Sequence, residues 1–198
     1  MIPSAAQKEL SLICNQVVWL QRYMYELDCL SQKPTPELSG DLEQIISATA
    51  PDFFNLVKFL LVDEIYMGIA RLLDPADQGT NINLTLETII KSSTSANSHQ
   101  RISAMDQLQK VKGMFSQGST VRNKLLAHRD YKTSLNYSNE IKAIQVDPDT
   151  IGKIIVCIDN IIRKIAPQHT LPDTIPKYDE KWLGAKLVID HLRNTVEL

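Results

Sequence analysis

The chain has 198 residues, 43% of them hydrophobic and 22% charged, with a net charge of −2, which suits one domain with a real core but gives no global positive field to gather nucleic acid. Its most apolar stretch, Phe53 to Leu73, is interrupted by Lys58, Asp63, Glu64 and Arg71, which excludes a membrane span. Cys14, Cys29 and Cys157 form no close pair and no metal-ligand spacing, and no secretory leader pattern precedes them, so the expected compartment is the reducing cytoplasm.

Helical periodicity dominates the chain. Leu10, Ile13, Val17, Leu20, Met24 and Leu27 step by three and four, predicting one apolar seam on a helix of about 25 residues. Pro34 and Pro36 end it. A short element is expected over Leu42 to Ile46. Pro51 then suits the first turn of a helix running to Leu73, before Asp74-Pro75. That helix is apolar on most faces and is expected to be the most buried of all. A short helix follows over Leu86 to Lys91, and Ser92 to Ser98 reads as a polar loop.

Helical pattern resumes near Gln100 and reaches Phe115, where Gly113 and Gly118 weaken it. Thr120 to about Ala127 continues as helix, directly or after a kink. Asp147 and Pro148 are a cap and a first-turn residue for a helix to Ile165, whose face is Ile151, Ile154, Ile155, Ile158, Ile161, Ile162 and Ile165. A connector from Ala166 to Pro176 leads to a weaker helix near Asp179 to Arg193. No segment alternates with period two, so the fold class is all-α: an antiparallel helical bundle over residues 1–165, with residues 166–198 as connector and accessory helix.

Several signals carry no chemistry. Gly113-Met-Phe-Ser-Gln-Gly118-Ser-Thr120 lacks the lysine of a phosphate-binding loop and follows no strand, so it reads as a helix kink. His99, His169 and His191 have no metal-ligand spacing. Neither a metal nor a cofactor is expected. Glu64 and Arg71 lie seven apart, with Asp74 one turn beyond, a polar network on one helix face. Its plain reading is a buried charge pair holding helices in register; its functional reading is the lining of an active cleft.

The informative segment is Val121-Arg-Asn-Lys-Leu-Leu-Ala-His128-Arg-Asp-Tyr131. Arg122 supplies a permanent forked cation suited to phosphate. His128 titrates near neutrality and can serve as general acid or base. Asn123 can hydrogen-bond a substrate or orient a neighbour. The surroundings are basic: from Arg101 to Lys132 seven Lys or Arg face only Asp106 and Asp130, a local +5 that leaves −7 elsewhere. Arg163 and His169 repeat the six-residue separation, but with Pro167 between them and Lys after the Arg, so context distinguishes the first pair. The competing structural reading of Arg122 and His128 is two cationic side chains favouring a helix C-terminus.

Arg-Asn, four residues, then His resembles the defining motif of the HEPN superfamily. Asp63-Glu-Ile-Tyr-Met-Gly-Ile-Ala-Arg71-Leu-Leu-Asp-Pro75, followed by Asn83-Leu-Thr-Leu86, resembles its AbiU-like abortive-infection branch. The resemblance covers roughly residues 10 to 165. It implies a HEPN-type helical bundle, a homodimer, RNA as substrate and a toxin's role in antiphage defence. Arg122, Asn123 and His128 become the catalytic set, with Lys124, Arg129 and Lys132 placed to bind RNA. In some HEPN toxins a Tyr two residues after the His is nucleotidylated by a partner antitoxin. Here that position is Asp130, and Tyr131, one further on, becomes the candidate acceptor. The alternative is a catalytically silent bundle that binds nucleotide, RNA or a protein partner.

Helix geometry adds a constraint. Six residues give about 600° of rotation and ~9 Å of rise, so Arg122 and His128 stand about 120° apart on an ideal helix and do not converge on one phosphate. His128 shares its stripe with Val121 and Leu125, which suits packing on a neighbour. A two-fold contact would bring two copies of each group to one cleft.

Overall fold

The computed structural model describes residues 5–31, 41–79, 81–121, 147–166 and 184–195, in which eight helices account for nearly all regular structure. They are α1 (Ala5–Ser31), α2 (Asp41–Thr49), α3 (Pro51–Leu73), α4 (Leu86–Ser92), α5 (Ser98–Met114), α6 (Ser116–Val121), α7 (Pro148–Ile165) and α8 (Gly184–Thr195). The fold is all-helical. One small hairpin interrupts it: β1 (Asp77–Gln78) pairs antiparallel with β2 (Asn81–Ile82), Asp77 opposite Ile82. Its turn uses Gly79 at φ 67°, a left-handed conformation that side chains resist. Among the described residues no helix is long and apolar enough to cross a membrane.

The helix boundaries have local causes. Asn97 and Gln100 form a reciprocal capping box at the start of α5, each bond 2.9 Å. Asp147 caps α7 by accepting from Thr150 N at 3.0 Å, with Pro148 in the first turn and Arg163 and Lys164 in the last, where cations suit the helix dipole. Glu26 on α1 caps α8 from a distance in sequence, its Oε2 accepting from Ala185 N at 2.6 Å.

The chain divides into two compact units. One holds Met1–Leu20 and Tyr66–Pro176, the other Gln21–Ile65 and Lys177–Leu198. In the second unit α8 is grouped with α2 and the first part of α3. The core of that unit is Leu30, Ile46, Phe54 and Ile189, flanked by Leu42, Val57, Leu61, Ala185 and Leu192.

In the larger unit α5 packs on α7 and α4 on α5. Ala104, Leu108, Val111 and Phe115 form the buried stripe of α5, and the seven isoleucines of α7 are all buried. Burying each such side chain contributes roughly 1.5–3 kcal/mol. Polar pins fix the pairing: Ser93 Oγ donates to Ile165 O at 2.8 Å, and Lys164 Nζ donates to Ser103 Oγ at 2.9 Å and Gln107 Oε1 at 3.0 Å.

One expectation is corrected. The helix expected to be most buried, α3, exposes Phe53, Leu56, Phe59 and Leu60, each more than 40% accessible, whereas α7 keeps all seven isoleucines inside. A helix apolar on every side carries no mark of which side faces the core, while the one-sided pattern of α7 does.

Candidate functional site

Arg122, Asn123, Lys124, His128, Arg129, Tyr131 and Lys132 lie outside the described residues. The structure describes what leads to them. The kinked helix pair α5 and α6 ends at Val121, one residue before Arg122. Phe115 stands at the kink, where its carbonyl accepts from Ser119 N at 3.0 Å and its buried ring lies 5.8 Å from that of Tyr66. The phosphate-loop look of Gly113 to Thr120 thus resolves into a helix joint.

Two of the three described cations of the basic window are engaged within the protein. Arg101 Nη1 donates to Ser93 O at 3.0 Å. Lys112 Nζ pairs with Glu87 Oε2 at 3.2 Å, and Lys91 Nζ holds the other oxygen at 2.7 Å. The Lys91 bond, ahead of that from Lys112, holds the Glu87 carboxyl below its ordinary range. Lys110 is exposed, but Asp106 shares its helix face. The described half of the window therefore works mainly as internal bonding between α4, α5 and the loop joining them. Glu87 and Lys91, four apart on a helix, were readable as a pair from sequence; Lys112 as third member was not.

The polar network of Glu64, Arg71 and Asp74 is not a buried pair. Glu64 and Arg71 are exposed and Asp74 is half-buried. The neighbouring Asp63 is half-buried, and burial, then the charge of Glu64, pushes its carboxyl up. Cys14 belongs to the buried core, and burial, then the charge of Asp159, pushes its thiol up, the direction expected of a structural cysteine. His99 and His191 are exposed. Among the described residues no group of three His, Cys, Asp or Glu is arranged to hold a metal ion.

Asn83-Leu-Thr-Leu86 has a structural task. Asn83 Nδ2 donates to Pro75 O at 3.1 Å, and Asn83 N donates to Ala76 O at 2.8 Å. Thr88 Oγ1 donates to Asn83 O, and Thr85, 1% exposed, caps α4 by accepting from Thr88 N at 3.3 Å. The block following Asp74-Pro75 is therefore a clasp that closes the hairpin and starts α4.

In comparisons with known proteins, the family model HEPN_AbiU2, described as AbiU2, matches residues 4–174. The match spans the clasp, the helix joint and the Arg122–His128 segment. No curated protein and no solved structure matches the chain.

Proposed function

Because the chain belongs to the AbiU2 family of HEPN domains, we propose that it is a metal-independent endoribonuclease serving as an abortive-infection effector, with Arg122, Asn123 and His128 as its reaction centre. The observation that carries this reading is an intact Arg-Asn-(four residues)-His inside a family match covering residues 4–174.

The chemistry follows from the side chains. A 2′-hydroxyl of RNA attacks the adjacent phosphorus while one His128 imidazole takes its proton. The P–O2′ bond forms, the P–O5′ bond breaks, and the leaving 5′ oxygen receives a proton from a second acid. The products are a 2′,3′-cyclic phosphate and a 5′-hydroxyl end. Arg122 counters the charge that builds on the phosphorane. Asn123 orients the substrate or the imidazole, and Lys124, Arg129 and Lys132 hold flanking phosphates. On an ideal helix Arg122 and His128 would stand about 120° apart, so the proposed centre is composite, with a homodimer axis supplying two copies of each group. A nucleotidyltransferase-type antitoxin would act on Tyr131, where an added phosphoester blocks the cleft and repels RNA.

The test compares wild type with His128→Ala on RNA, with and without EDTA, alongside the mass in solution. The expected result is a loss of roughly 10²-fold or more in rate for the variant, no effect of chelator, and a dimer. An alanine variant as fast as wild type, or a fully active monomer, refutes the mechanism. The second reading, a silent bundle that binds RNA or a protein partner, is favoured by the internal use of Arg101 and Lys112. RNA binding without cleavage would select it.

A further inference from the structure

The N-terminal half of α3 carries two apolar faces. On a helix turning about 100° per residue, Phe54, Val57 and Leu61 share one side and belong to the core of the smaller unit. Phe53, Leu56, Phe59 and Leu60 share an arc of about 120° on roughly the other side, and each is 44–59% exposed. Lys58, the one charged residue between Phe53 and Leu60, lies outside that arc. The Phe53 ring stands edge-on to the buried Phe54 ring, centroids 5.5 Å apart at 76°, so the stripe is anchored before anything meets it. The smaller unit is also short of cover. Among the described residues both units expose the same number of large apolar side chains, although the larger buries more than three times as many apolar residues. Small units gain little core for their surface and are often completed by association.

We infer that this stripe is the contact through which two copies of the chain associate, α3 crossing its own copy about a two-fold axis. Large apolar side chains bury about 150–250 Å² each. Four that are half exposed therefore offer ~400 Å² per copy, about half of the ~800 Å² per partner that a stable complex buries; the rim around them supplies the remainder. A face without charge gives a charged partner group nothing to pair with, and burying such a group there is costly. A copy of the same stripe carries no such cost. The Leu56–Leu60 ridge is of the i, i+4 kind, which packs against a like ridge at about 50°. The acids Asp52, Asp63 and Glu64 then fall at the two ends of the stripe, on the rim of the contact, where interfaces keep their charges. The inference stands on the stripe alone and does not need the ribonuclease reading.

Sedimentation of the full chain over a range of concentrations tests it, with circular dichroism confirming the fold of each variant. The wild type should associate reversibly to a dimer. Leu56→Asp places a charge at the centre of the contact in both copies and should raise the Kd at least about 100-fold. Leu187→Asp, on α8 and 58% exposed in the wild type, should leave the Kd unchanged. If Leu56→Asp does not fold, Leu56→Ala carries the test, with a Kd raised about 10-fold. Raising the salt should tighten the dimer, because the charges at the ends of the stripe are acidic in both copies. A wild type that stays monomeric overturns the inference and leaves the stripe to a different protein. A dimer indifferent to both Leu56 variants, or one that salt loosens, overturns it as well. A dimer that behaves as expected but cuts no RNA removes the ribonuclease reading alone.

Discussion

Replacing Thr85 by Ala should show that the clasp after Asp74-Pro75 is held by a hydroxyl. Thr85 is 1% exposed and lies 3.2 Å from Thr88 Oγ1. Since Thr88 Oγ1–H donates to Asn83 O, the Thr85 hydroxyl donates to Thr88 Oγ1 while accepting from Thr88 N–H. One oxygen therefore serves as both donor and helix cap. Losing a threonine cap costs about 0.5–2 kcal/mol, and leaving buried partners unmatched places this case near the upper end, about 2 kcal/mol. At 2–4 °C per kcal/mol for a chain of this size, the midpoint should fall by roughly 4–8 °C.

Thr85→Ser keeps the hydroxyl and loses one methyl, which costs about 0.8 kcal/mol, so the order of stability should be wild type, Ser, Ala. Thermal melting followed by circular dichroism reads both variants. A cycle with Thr88→Val should give a coupling of at least about 0.5 kcal/mol. Two outcomes refute the reasoning: an Ala variant that melts with wild type, or a Ser variant as weak as Ala, which would assign the effect to the methyl.

Asp63→Asn should stabilise the protein at neutral pH. Burial raises the folded-state pKa of Asp63 above its unfolded value, near 3.9, so the folded state holds the proton more readily. Stability therefore declines as pH rises from about 3.9 through the raised value, and the penalty persists above it. Urea unfolding at several pH values should show the gain from Asn growing with pH; a gain that is flat or reversed contradicts the assignment. In α7, Ile158→Ala removes a side chain with 0% exposure and should cost about 2–5 kcal/mol. Val156→Ala on the same helix, at 59% exposure, should stay within about 0.5 kcal/mol. Equal losses at the two positions would contradict this assignment of the buried face.

Much of the architecture was legible because its causes are local. Pro51 and Asp74-Pro75 bracket α3, and Asp147 with Pro148 starts α7, where the sequence places them. The isoleucine spacing of α7 names its buried face residue by residue. Arg122, Asn123 and His128 are singled out by local context as well as spacing, since Arg163 and His169 repeat the separation without it.

Tertiary contact decided the rest. Nothing near Arg101 or Lys112 in sequence announces that Ser93 and Glu87 occupy them, so these two cations read as freer than they are. The hairpin at Asp77–Ile82 is two residues per strand, too short for period two to register. Nor does the sequence near α8 show that α2 is its neighbour or that Glu26 is its cap. Position 118 reads as a weak point in a helix until the Phe115 ring is found lying against it. For α3, near-uniform apolarity left the choice of inner face to whichever neighbours arrived. Propensity, capping and periodicity act over a few residues and are written in the chain. Which faces meet is set by the summed burial and polar pairing of segments distant in sequence, and only the folded chain brings those together.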